Sequence, residues 1–381
     1  MANINVSPGI LQWAVERSDK LKAVMHKFPK WSEWLSGESN PTLKQLESLA
    51  KFTSTPLGYF FLNEPPIEGL PIPHFRTIHD DSYHIAPSPE LLDTVQMMER
   101  RQKWLHEYLA DQKYDFLKFV GSKSINDNPI HIAKAIRETL GLKDGWAAEF
   151  STWQDALRNL FNKVDEARIL LVVNGIVGNN THRKLDVNEF RGFVLVDEYA
   201  PLIFINGADG KAAQMFTLAH ELAHIWYGSS AAFDLRELHP ADNKTEIACN
   251  KVAAEFLVPG AEFLKVWPSV ENNSNRFQQL ARQFKVSEIV AARRALDLKK
   301  ITSNQFFEFY YNRITAEAKS NGNGGNFYST QNYRIGRRFG EAIITATKEG
   351  KILYNEAYRL TGLNGNTFAE FASRLGFGGD V

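Results

Sequence analysis

Residues 217–228 read Thr-Leu-Ala-His-Glu-Leu-Ala-His-Ile-Trp-Tyr-Gly. Within them stands His220-Glu221-x-x-His224. Two histidines four apart lie one above the other on a helix. That puts two imidazole nitrogens where one tetrahedral zinc ion takes both. Glu221 lies about 100° round the helix, placed to take a proton from an attacking water without being a ligand itself. The stretch Lys211–Tyr227 has no Gly or Pro, and Met215, Leu218, Leu222 and Ile225 recur at helical spacing, so a helix with one buried face is predicted. Ala219 and Ala223 keep the neighbouring face thin enough for a second helix to approach. An ordinary core helix with two hydrogen-bonded histidines is the structural alternative, and such a helix has no need of Glu221.

A zinc ion of this kind takes one more protein ligand and keeps an open position. Downstream, Asp242-Asn-Lys-Thr-Glu246-Ile-Ala-Cys-Asn250-Lys-Val-Ala-Ala-Glu255-Phe-Leu-Val-Pro259 predicts a helix, with Asp242 or Asn243 as its cap and Pro259 beyond its end. Glu246, Asn250, Ala253 and Leu257 share one face. Glu255 is half a turn out of phase with Glu246, so both cannot face one ion. Glu246 is the better third ligand, and Asn250, one turn on, is placed to orient a ligand from behind. Read structurally, Glu246 is a first-turn carboxylate favoured by the helix dipole. Upstream, Gly192-Phe-Val-Leu-Val-Asp197 and Pro201-Leu-Ile-Phe-Ile-Asn206 flank a short turn and predict a hairpin, whose strands offer main-chain pairing to an extended peptide. Tyr227, His239 and His182 are candidate donors to a developing oxyanion. Cys249, the one cysteine, reads as a small core residue and rules out an intramolecular disulfide.

The chain resembles the ImmA/IrrE family of metallo-endopeptidases. The resemblance rests on Phe216-Thr-Leu-Ala-His-Glu-Leu-Ala-His224, on the preceding Pro-Leu-Ile-Phe-Ile-Asn, and on Glu246-x-x-x-Asn-x-x-Ala-Ala-Glu-Phe-Leu-Val-Pro259. Asn174–Gly192 looks like the long-chain branch. The likeness is strong over about residues 150–300 and looser at the flanks. It implies a Zn2+ ion held by His220, His224 and Glu246, with Glu221 as the base. It also implies cleavage of a repressor-like protein that controls gene expression, a mobile element or a stress response. The family often has Glu-Ala-Asn where this chain has Ala-Cys-Asn (248–250), a change that does not touch the ligand. Two other readings stay open. One is a regulator that binds DNA or a repressor without cutting. The other is the antitoxin-like partner of a small toxin.

The surrounding chain predicts an α+β protein, mostly helical, with a gluzincin-like centre that joins the motif helix to a small antiparallel sheet. Residues 1–66 form a helical domain in which Trp31–Thr42 resembles half of a Cro/repressor-type helix-turn-helix. Its earlier half is compressed, and Pro29 falls where a helix should run, so DNA binding competes with a packing or protein-recognition role. Residues 67–125 hold a Pro- and His-rich linker and a long helix, Pro89–Lys113, whose Arg100-Arg-Gln-Lys103 run reads as a solvated face. The peptidase domain spans 126–318. It includes a helix-turn-helix-like segment near 276–297, where Ser287 caps the second helix and Arg293 and Arg294 could meet phosphate; packing is the favoured role there. Residues 326–381 are a helical tail.

Composition limits the partners. Lys+Arg and Asp+Glu are 44 each in 381 residues, so bulk charge points to neither nucleic acid nor membrane. No segment approaches 18 apolar residues and the N-terminus lacks the form of a signal peptide, so a cytoplasmic protein is expected.

Overall fold

The computed structural model describes residues 3–70, 74–75, 87–233, 244–317 and 333–377. His239, the expected helix cap at Asp242 or Asn243, and most of the linker after residue 70 lie outside the described residues. The chain divides into two units, one of residues 1–71 with 78–96 and one of residues 72–77 with 97–381.

The first unit begins with helices α1 (Pro8–Arg17), α2 (Leu21–Lys27), α3 (Trp31–Ser36) and α4 (Leu43–Thr53). Its core gathers Ile10, Leu11, Ala14, Val24, Trp31, Trp34, Leu46, Leu49 and Phe60. Thr42 caps α4 in a reciprocal box with Gln45, which satisfies two backbone donors at once. Pro29 separates α2 from α3, and α3 spends both of its tryptophans on the core.

The second unit holds the sheet. Its elements, in chain order, begin with β1 (His74–Phe75) and the C-terminal part of α5 (Pro89–Asp111). Then come α6 (Pro129–Thr139), α7 (Trp153–Glu166), β2 (Leu170–Asn174), β3 (Ile176–Val177) and β4 (Asn180–Lys184). β5 (Gly192–Leu195), β6 (Leu202–Asn206), α8 (Lys211–Tyr227), β7 (Ala231–Phe233) and α9 (Lys244–Leu257) follow. After them run α10 (Gly260–Val270), α11 (Arg276–Phe284), α12 (Glu288–Asp297) and α13 (Ser303–Glu317). The tail consists of α14 (Arg337–Lys348), α15 (Tyr354–Thr361) and α16 (Gly365–Arg374). The protein is thus α+β with helical ends.

The expected hairpin is present: β5 and β6 pair antiparallel, with Phe193 opposite Phe204 and their rings stacked 4.9 Å apart. The sheet as a whole is mixed rather than purely antiparallel, in the order β1-β7-β5-β6-β2, because β2 runs parallel to β6 and β1 parallel to β7. Every residue of β5 and β6 is buried, as continuous apolar runs require when both faces of a sheet are covered. Neither strand has a free edge, so the expectation that this hairpin pairs directly with a substrate peptide is corrected: β7 and β2 already take those hydrogen bonds.

Two arginine expectations are also corrected. Arg101, read as part of a solvated run, is buried, and its guanidinium donates to the carbonyls of Arg334, Ile335, Leu360 and Thr361. Burial pulls its pKa down to about 10, and the carbonyls of the helical tail are what the fixed fork of donors satisfies. Arg294, offered as a phosphate contact, is buried against Glu255 and donates to Val258 O. Ser287 does cap α12, accepting from Val290 N at 3.1 Å. The helix-turn-helix-like segment thus turns Ala291, Ala292 and Ala295 into the core, while Arg293 pairs with Asp297.

Candidate metal centre

Helix α8 is buried on all sides from Gln214 to Trp226, more completely than a single apolar face predicts. Its polar residues Thr217, His220, Glu221 and His224 recur at i, i+3, i+4 and i+7 and so form one stripe. Burying such a stripe is costly unless it is partnered. Helix α9 packs on α8 and lays its own stripe, Glu246, Cys249, Asn250 and Ala253, along the same contact. Ala219, Ala223 and Ala253 are fully buried, and their small side chains let the two backbones come close.

The two stripes converge. His220 Nε2 and His224 Nε2 are 3.1 Å apart. Glu246 Oε2 lies 3.0 Å from His220 Nε2, and Oε1 lies 3.2 Å from His224 Nε2. An ion about 2.0–2.1 Å from each of three tetrahedral donors spaces them roughly 3.3–3.4 Å apart, so the donor set fits such an ion with small adjustments. The other ring nitrogens point away. His220 Nδ1 donates to Asn250 Oδ1 at 3.1 Å, as the helical phase of α9 suggested, and His224 Nδ1 lies 3.0 Å from Ser229 Oγ. In the tautomer that carries its proton on Nδ1, each neutral imidazole presents its Nε2 lone pair to the common point.

Ser229 escaped the reading of the sequence. Gly228 ends α8 in the left-handed region at φ 72°, and Ser229 N then donates to His224 O at 3.1 Å. This C-cap turns the Ser229 hydroxyl back onto the last histidine. The Gly-Ser pair after Tyr227 was the available signal. Ser229→Ala is expected to weaken metal retention by roughly 10–100-fold without unfolding the chain, as read by chelator competition beside a thermal melt.

Electrostatics separates the two site glutamates. Burial raises the Glu246 carboxyl, but hydrogen bonds and charge from His220 and His224 outweigh it and hold the group well below the ordinary range. Burial likewise depresses His220, against the pull of Glu246. Glu221 behaves oppositely: burial, joined by the charge of Glu246, raises it well above 4.5. Both Glu221 oxygens are buried without a hydrogen-bond partner among the described residues. A wholly buried carboxyl without a partner costs the fold stability, which makes it a candidate functional group.

Room for Glu221 comes from Gly192. A Cβ there would stand 2.6 Å from Thr217 Cγ2, 2.8 Å from Phe204 O and 3.4 Å from Glu221 Oε1. Gly192→Ala is expected to push β5 off α8 and cost about 1–3 kcal/mol, measurable as a lower urea midpoint.

Among the expected oxyanion donors, Tyr227 is half-buried with its hydroxyl enclosed and without a partner among the described residues, and burial pushes its phenol up. His182 is exposed on β4, in a two-stranded ladder with β3 apart from the main sheet. Cys249 is fully buried, as a core residue should be, yet its ligating atom and those of His220 and His224 lie within 4.8 Å of one another.

Residues 178–296 match the family model described as the IrrE N-terminal-like domain, a peptidase family. This segment is similar to the IrrE-type peptidase family. The match begins just after β3, covers β4, the hairpin, α8 with its histidines, and α9 with Glu246, and ends inside α12. Residues 335–374 match a second model, a domain of unknown function (DUF8813), which corresponds to the helical tail clasped by Arg101. No curated protein and no solved structure matches the chain. Among the described residues no helix is long and apolar enough to cross a membrane.

Proposed function

We propose that the chain is a zinc-dependent endopeptidase whose ligands are His220, His224 and Glu246 and whose general base is Glu221. One observation carries the reading: three side chains bring ligand atoms to 3.0–3.2 Å of one another, on a helix that also carries a buried carboxyl without a hydrogen-bond partner among the described residues. A zinc ion bound there supplies Lewis acidity to the scissile carbonyl and to water. Asn250 and Ser229 hold the two imidazoles in the tautomer that frees Nε2. Glu221 takes the proton of the attacking water as its oxygen bonds to the carbonyl carbon. The same carboxyl then passes that proton to the leaving nitrogen as the C–N bond breaks. Its elevated affinity for a proton suits both halves of that task. Tyr227 keeps its phenolic proton and is the favoured donor to the oxyanion.

A repressor-like regulatory protein is the proposed substrate class, by likeness to the family whose model the central segment matches. The test is mass spectrometry of proteins that vanish when wild-type protein is expressed but persist with Glu221→Gln. Identical protein inventories in the two cultures would count against a peptidase.

A further inference from the structure

Cys249 stands three residues after Glu246 and one before Asn250, on the side of α9 that meets α8. Its sulfur and the ligating nitrogens of His220 and His224 all lie within 4.8 Å of one another, and all three residues are fully buried. In a tetrahedral site with zinc–nitrogen distances of about 2.0–2.1 Å and a zinc–sulfur distance of about 2.3 Å, sulfur and nitrogen are roughly 3.5 Å apart. Bringing Sγ to that spacing takes a shift on the order of 1 Å, within reach of a side-chain adjustment on packed helices. A serine, alanine or valine would fill the same core space. A thiol adds the donor that zinc prefers in closed, four-protein-ligand sites.

A second observation points the same way. Glu221, on the same polar stripe of α8, is also fully buried, and among the described residues neither of its carboxyl oxygens has a hydrogen-bond partner.

We propose that Cys249 is a further ligand of this centre, its thiolate taking the position that catalysis leaves to water and holding the enzyme in a closed, latent form. The inference rests on the zinc reading of His220, His224 and Glu246. On ligation the S–H bond breaks, a sulfur–metal bond forms, and the proton is released to solvent; no oxidant or reductant takes part. The closed form is latent because the position that catalysis leaves to water is filled.

Cobalt substitution of the full chain separates the two layers of the proposal. Co2+ is added to chelator-stripped wild type and to Cys249→Ala, and absorption spectra are recorded. The expected result is visible d–d bands of four-coordinate cobalt in both proteins, with a near-ultraviolet thiolate-to-cobalt charge-transfer band in wild type alone. Cys249→Ala should also surrender its metal to a competing chelator about tenfold more readily. Strong d–d bands in wild type without the charge-transfer band would overturn the thiolate ligand and leave the His220–His224–Glu246 site standing. No cobalt spectrum at all would overturn both. The wild-type spectrum decides the matter even where the variant folds poorly, since Cys249 is the one sulfur in the chain able to give that band.

Discussion

Glu221→Gln is expected to lower peptide cleavage by about 10²–10⁴-fold while the metal stays bound. The amide has nearly the same shape, makes no demand on the His220–His224–Glu246 cluster, and cannot shuttle a proton. Cleavage is read on the substrate identified by proteomics, and metal content by elemental analysis of the same preparation. A fully active Gln variant would refute the assignment of the base. The same variant carries a pH signature in chelator-treated protein. Glu221 binds its proton more tightly when folded than when unfolded, since burial and the charge of Glu246 raise it above 4.5. The folded chain therefore holds more protons than the unfolded chain above that pH, and stability falls as pH climbs from 4.5 towards the raised folded value. Gln has no proton to lose, so that part of the slope should disappear. Urea unfolding across that pH range in both proteins measures it, and parallel slopes would contradict the buried state of Glu221.

The second large effect separates two glutamates on one helix. Glu246→Ala is expected to abolish metal binding, because it removes one of three converging donors and the charge that complements the ion. Glu255→Ala is expected to leave the donor set in place and instead cost about 3–5 kcal/mol of folding stability. It strands the buried Arg294 guanidinium and removes the carboxylate that accepts from Gly260 N at 3.1 Å. Metal titration and denaturant unfolding of the two variants should give crossed outcomes. Metal loss in Glu255→Ala with full retention in Glu246→Ala would reverse the assignment.

That contrast was already present in the chain as a phase difference. Nine residues on a helix put Glu255 on the opposite side from Glu246, and the structure gives the two sides different partners, two histidines for one and an arginine for the other. Local spacing likewise announced the histidine pair, the Asn250 partner of His220, the β5–β6 hairpin and the Ser287 cap. Each of these is a relation between residues a few positions apart, governed by the repeat of a helix or strand.

Relations across long separations were not written in the spacing. Arg101 meets the carbonyls of residues more than two hundred positions away, and a run of cations looks the same whether it faces water or a folded tail. The parallel pairing of β2 with β6 and the approach of Cys249 to the histidines depend on which elements pack together. So does the burial of Glu221, which turns a common surface carboxylate into a group able to carry a proton. The sequence by itself determined which side chains share a face, because backbone periodicity is local. Only the tertiary structure decided which faces meet and which charges lose their water, because desolvation is set by everything packed around a group.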